Sequence, residues 1–329
     1  MLDIRDLGGK LNRILMLSLM ICLGFVALIL VHNHKTSKKQ PDRFFIKMAP
    51  DIELSPINIK KEPTNPIINN VIPSKELTYE EVNNWLDEWH KSAPDITEVG
   101  VVGKHLDKEI RYIRIGNKTG PKVLITSGIH GNEKLCCMTM IGVFGKLLQN
   151  YMDDDRITKL LNDRDVYFVP IVSPDGYVNN RRHTENLDPN RNWTNPDLSE
   201  KESIPCVKAM KELHLNHKFK SVMSCHNSGR LYFYPWGYTN KNNELSKEYR
   251  SLLSEMTAKN RYTYFQLHGR SPAPYYGYEV DWYHKHGAFS IINEIGRSFQ
   301  ARKEEIEKEV EDNYESTIIF IEKAALIRL

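Results

Sequence analysis

Residues 123–151 read VLITSGIHGNEKLCCMTMIGVFGKLLQNY. Val123–Ser127 is a short apolar run of strand length. Gly128 and Gly131 interrupt it, and from about Glu133 to Tyr151 the composition is that of a long buried helix. A strand that turns directly into a helix is the repeating unit of an α/β domain. The turn itself holds His130 and Glu133, two metal- and proton-binding side chains three residues apart.

The same alternation continues on both sides. Glu98–Val102 and Glu109–Ile115 read as paired strands, and Val166–Val172 as another apolar strand. A helix from about Ser203 to Leu213, with Pro205 in its first turn, leads into the strand Ser221–Cys225. A further helix covers about Glu244–Ala258, Ala288–Asn293 is again a strand, and a last helix fills roughly 301–327. Upstream, Thr78-Tyr79-Glu80-Glu81 fits a capping box, and Val82, Trp85, Leu86 and Trp89 follow on one helical face. The folded domain is therefore expected over residues 75–329.

Composition bounds the rest. The 329 residues carry a net charge of +3 with 26% charged residues, which argues against a dedicated nucleic-acid binder with a concentrated basic face. No protein partner is called for either. The five cysteines contain no CxxC pair, so a thiolate zinc site is not expected, and Cys136 and Cys137 read as packed thiols. Ile14–Val31 is an uncharged apolar run of 18 residues, just enough to span a hydrocarbon core of about 30 Å. No small-residue cleavage site follows it, so residues 1–32 are expected to be a retained single-pass membrane anchor. Residues 33–74, rich in Pro, Lys and Asn, read as a flexible stalk. The catalytic domain is expected outside the cytoplasm, although Lys35, Lys38, Lys39, Arg43 and Lys47 after the run oppose the simple charge rule.

In α/β sheets chemistry gathers at strand ends. Four strand ends here each present a reactive side chain: His130 with Glu133, then Asp175 and Arg182, then His226, then Glu294. A lone HxxE is weak. With His226 it becomes the three-ligand set that a catalytic zinc needs, leaving one position open. Two neutral imidazoles and one carboxylate keep residual positive charge on the ion, which polarises a carbonyl and acidifies water. His214 with His217 and His284 with His286 are rival pairs, and both are expected at the surface.

These residues resemble the zinc metallocarboxypeptidases of the carboxypeptidase A type. The resemblance rests on HGNE at 130–133, DPNRNW at 188–193, His226 with YPWGY at 234–238, and Glu294 in IINE, over about residues 76–300. It implies a mixed central β-sheet flanked by helices, one zinc ion on His130, Glu133 and His226, and a peptide substrate with a free C-terminal carboxylate. Glu294 would be the general base and Arg182, or its neighbour Arg181, the oxyanion arginine. Asn190 and Arg191 would grip the terminal carboxylate, and Asp188 would orient a zinc histidine. Tyr275 would close over the substrate and Val280 would floor the side-chain pocket, favouring an apolar or uncharged terminal residue. Asn227 and Ser228 depart from the Ser-Tyr of the animal digestive enzymes and leave the outer subsites open. Two other readings compete: a zinc deacylase of N-acyl amino acids, and an inactive zinc-stabilised binding module.

Overall fold

The structure is a computed structural model that describes residues 71–329 apart from 196, 198–202 and 271–275. The anchor at 1–32, the stalk up to residue 70 and Tyr275 therefore lie outside the described residues. No helix among the described residues is long and apolar enough to cross a membrane.

The elements follow one another as α1 (Tyr79–Ser92), β1 (Thr97–His105), β2 (Lys108–Gly116), β3 (Lys122–Thr126), α2 (Lys134–Asn150), α3 (Asp155–Asp163), β4 (Asp165–Val169), α4 (Pro174–Val178), α5 (Pro205–His217), β5 (Ser221–His226), β6 (Leu231–Tyr234), α6 (Ser246–Asn260), β7 (Thr263–Gln266), α7 (Glu279–Lys285), β8 (Phe289–Glu294) and α8 (Lys303–Lys323). The capping box forms: Thr78 Oγ1 accepts from Glu81 N, and Glu81 Oε2 accepts from Thr78 N.

The eight strands form one mixed sheet in the order β1-β2-β4-β3-β5-β8-β6-β7. Its centre, β4-β3-β5-β8, is parallel. The β1–β2 hairpin closes one side antiparallel and β6 pairs antiparallel with β8 on the other. Side chains alternate across the sheet, as a two-residue period requires. Val123, Ile125, Val166, Phe168, Met223 and Cys225 face α1, α2, α3, α6 and α8. Leu124, Tyr167, Val169 and Val222 face the other way, toward α5 and α7. Both faces are covered, so the central strands are apolar throughout.

Two surface expectations are corrected. His214 and His284 are 1% and 3% exposed. His214 packs against Trp282 and Tyr283 with Nε2 on the His286 carbonyl, and His284 bonds Tyr249, Asn243 and Glu244. Polar neighbours in sequence hid them, because each sits on the inward face of its own helix. The four described cysteines, Cys136, Cys137, Cys206 and Cys225, are free and buried.

Candidate active site

Because β3, β4, β5 and β8 run parallel, their C-terminal ends lie on one edge. The turn after β3 brings His130 and Glu133. The chain after β4 brings Arg182, Asp188 and Asn190. His226 ends β5 and Glu294 ends β8, and the two are register partners on adjacent strands. Side chains at paired positions of neighbouring strands project to the same face of a sheet.

The turn after β3 is pressed against α4. A Cβ on Gly131 would lie 1.8 Å from the Gly176 carbonyl carbon, so only glycine fits. Glu133 occupies the N-cap of α2 but makes no cap bond with its side chain. Its carboxylate turns to the site instead. Oε1 lies 2.8 Å from His130 Nδ1 and 3.2 Å from Arg182 Nη1; Oε2 lies 3.1 Å from His226 Nδ1 and 3.1 Å from Asn227 N. All three candidate ligands are 1–2% exposed. Their ligand atoms lie within 4.8 Å of one another, and this is a group that could hold a metal ion.

The electrostatics suit a cation. Burial alone would raise the Glu133 pKa, but the two imidazoles facing it bring it down to about 2. Burial would lower the His226 pKa, yet Glu133 and Glu279 hold it well above the ordinary imidazole value. The carboxylates that favour a proton on His226 favour a divalent ion at the same place. Nitrogen and carboxylate donors in a closed three-member set match zinc.

Asp188 lies behind His130. Its Oδ1 accepts from His130 Nε2 at 2.9 Å, which leaves Nδ1 for the ion. Burial opposes its charge, but His130 and the guanidinium groups of Arg182 and Arg191 hold it well below the usual carboxylate range. Arg182 links Asp188 to Glu133, whereas Arg181 is exposed. Of the two arginines, Arg182 is the one that reaches a candidate ligand. Asp175 does not join the site; it accepts from Thr184 and Asn179 in the loop behind it.

Glu294 is a half-buried acid beside the ligands. Burial pushes its pKa up to about 7, and the Glu133 charge adds to this against the pull of His226, His130 and Arg182. A carboxylate poised near neutral pH is suited to exchanging protons.

Asn190 is engaged on both sides of its amide. Oδ1 accepts from Glu279 N at 3.0 Å and Nδ2 lies 3.4 Å from His226 Nε2. Arg191 is exposed; its guanidinium stacks 4.0 Å over the Tyr278 ring and donates to the Asn190 carbonyl. Gly277 lets the chain pass here: its φ is +74°, and a Cβ would meet the Arg191 carbonyl oxygen at 2.3 Å. Val280 is 1% exposed and packs with Leu267 and Ile292.

Glu279 was not recognised in the sequence, and Asn227 was read only as a departure at the outer subsites. Asn227 binds three pieces of the site together: its N donates to Glu133, its Oδ1 accepts from Cys136 N, and its Nδ2 donates to the Ile295 carbonyl. Glu279, in the first turn of α7, places Oε1 2.7 Å from His226 Nε2. An acid preceding Val280-Asp281-Trp282 was the available signal, but its partner is 53 residues away in sequence.

The zinc carboxypeptidase family matches residues 82–316. Similar proteins include carboxypeptidase A4 of Mus musculus, 27% identical over 197 residues, which cover 49% of this chain and 47% of that one. The zinc carboxypeptidase of Simulium vittatum is 28% identical over 196 residues, 49% of this chain and 64% of that one. The chain spans about half the length of the first curated relatives it matches. Among solved structures, carboxypeptidase A from Helicoverpa armigera superposes with a TM-score of 0.67 at 19% identity, covering 77% of this chain and 74% of that one. Bovine thrombin-activatable fibrinolysis inhibitor, solved with a tick carboxypeptidase inhibitor, gives 0.68 at 18% identity over 76% and 98%. These structural likenesses speak for the mixed-sheet fold, and the sequence match carries the assignment. The chain belongs to the zinc carboxypeptidase family, which uses one zinc ion, and its His130–Glu133–His226 set could hold that ion.

Proposed function

We propose that this domain is a zinc-dependent carboxypeptidase that hydrolyses the C-terminal peptide bond of peptides, with zinc on His130, Glu133 and His226. One observation carries the reading: Glu294, a half-buried acid with its pKa near 7, is the register partner of the candidate ligand His226. Bound zinc supplies Lewis acidity toward the scissile carbonyl and toward water.

The chain's own groups then have these tasks. Glu294 takes a proton from the attacking water as its oxygen bonds to the carbonyl carbon. It returns that proton to the amide nitrogen as the C–N bond breaks, so the products are a shortened peptide and a free amino acid. Arg182 offers its guanidinium to the oxygen that gains negative charge. Arg191 supplies a planar fork for the terminal carboxylate. Asn190 serves with it, and its Oδ1 holds the backbone N–H of Glu279 at the start of α7. Tyr275 closes over the carboxylate, and Val280 lies beneath the side chain of the departing residue, favouring apolar or uncharged ones. Asp188 holds His130 in the Nε2-protonated tautomer.

The test is hydrolysis of N-blocked dipeptides with and without a chelator. Chelator-sensitive release of the C-terminal amino acid is expected, and equal cleavage in both would contradict the reading. Release of acetate or succinate from N-acyl amino acids instead would favour a deacylase. For the whole chain we propose that residues 14–31 anchor it in a membrane with the domain extracytoplasmic. Protease accessibility of the domain in intact cells tests this; protection until the membrane is broken would place it on the cytoplasmic side.

A further inference from the structure

We propose that Glu279 is a positioning residue for zinc, doing for His226 what Asp188 does for His130. The inference rests on the reading of His130, Glu133 and His226 as the ligand set.

Both imidazoles turn Nδ1 toward the shared Glu133 carboxylate, at 2.8 and 3.1 Å. A ring that gives its Nδ1 lone pair to a metal carries its proton on Nε2, and that N–H needs an acceptor when buried. For His130 the acceptor is Asp188 Oδ1 at 2.9 Å. For His226 it is Glu279 Oε1 at 2.7 Å. Asn190 Nδ2 also approaches His226 Nε2, at 3.4 Å, but the amide oxygen is held by Glu279 N, so this end of the amide is a donor. A donor cannot satisfy an N–H, which leaves the carboxylate as the partner.

Glu279 is 2% exposed, and its side chain enters the site from the start of α7. That helix is itself fixed. Asp281 accepts from the Gly237 and Tyr238 amides, and Ser290 Oγ donates to the Val280 carbonyl. The carboxylate therefore comes to His226 preoriented. A buried carboxylate is costly unless its charge is balanced. Glu133 and Glu279 are both buried carboxylates at this site, and a dication on the ligand set would offset their charge. A carboxylate behind the ring also makes the imidazole a stronger donor to the metal.

The experiment measures zinc affinity of the full chain by competition with a chromophoric chelator, for wild type, Glu279→Gln, Glu279→Ala and Asp188→Asn. Urea denaturation of the metal-free proteins runs beside it. Glutamine keeps the size and an acceptor oxygen but not the charge, so it remains informative if the alanine variant does not fold. The expected result is zinc binding weaker by about 10- to 100-fold in Glu279→Gln, similar to Asp188→Asn and milder than Glu279→Ala. Urea denaturation shows whether metal-free Glu279→Gln is folded, so that zinc affinities are compared between folded proteins. Affinity of Glu279→Gln within threefold of wild type, while Asp188→Asn loses it, overturns the proposal. So does unchanged affinity with an altered choice of terminal residue, which would make Glu279 a substrate contact. If His226→Ala binds zinc as tightly as wild type, the ligand set itself is wrong and the proposal falls with it.

Discussion

Four hydrogen-bond donors or ring nitrogens converge on the Glu133 carboxylate, and none of them comes from its own helix. That convergence makes single substitutions here informative. Glu133→Ala should remove the ion and leave the Nδ1 atoms of two buried imidazoles without their carboxylate partner; metal analysis after dialysis is expected to give less than a tenth of the wild-type zinc content. Glu294→Gln should keep zinc and lose turnover by at least about a hundredfold, the scale of general-base catalysis. Glu294 also makes a stability prediction whose sign can be worked out. Its folded pKa of about 7 lies above the 4.5 of an ordinary glutamate. As pH rises through that window the unfolded chain releases the proton first, so metal-free stability falls between about 4.5 and 7. Glu294→Gln abolishes this fall and should be the more stable metal-free protein at pH 8, by about 3 kcal/mol, with the difference shrinking toward pH 4.5. Denaturation of the two metal-free proteins across that range checks it; a difference independent of pH would place the buried charge elsewhere. With zinc bound the cation favours the ionised carboxylate, so the acid limb of kcat/KM should lie below pH 7.

The turns between elements decide whether these residues meet. Gly131 and Gly287 make a matched pair. Alanine at Gly131 would drive a methyl group into the α4 backbone, whereas at Gly287 (φ +88°) nothing lies within 4 Å and only conformational strain opposes it. Gly131→Ala is expected to cost about 1–3 kcal/mol and weaken zinc binding, because the turn carries two ligands. Gly287→Ala should cost about 1–2 kcal/mol and leave zinc affinity alone. Urea denaturation with parallel zinc titration separates them. Much of this scale was legible. The β3-turn-α2 unit, the capping box at Thr78 and the strand ends at His226 and Glu294 all follow from apolar runs bounded by glycine or polar residues. The short elements were not legible. β6 (Leu231–Tyr234) and β7 (Thr263–Gln266) have four residues each, too few to show a period, and α7 holds Glu279 only through tertiary packing. His214 and His284 were misplaced for a related reason. Flanking lysines and asparagines report on a helix's exposed face and say nothing of its inner one.

The described domain is a sheet covered on both faces, and α8 (Lys303–Lys323) does much of the covering. Ile306, Val310, Ile318, Ile319, Phe320 and Ile321 are buried along it. Its outer face pairs with distant elements through Arg156 with Glu315 and Glu322 and Lys323 with Glu255, while the buried Glu309 meets Arg230. The surface pairs add little each, so the apolar face is the part that matters. Phe320→Ala should cost about 3–5 kcal/mol in urea denaturation while a zinc-saturated sample keeps its metal content. At this scale the alternation of strands and helices announced the α/β class, but sheet order did not follow from it, because β6 and β8 pair antiparallel across a long excursion through α6, β7 and α7. The catalytic reading depends on that order, since it sets Glu294 beside His226. Its most direct test is release of the C-terminal amino acid from N-blocked dipeptides by the zinc-loaded chain, by the chelated chain and by Glu294→Gln with zinc restored. The account predicts release by the first alone, with full zinc content in the third. Turnover by the chelated chain, or by zinc-loaded Glu294→Gln at the wild-type rate, would contradict it.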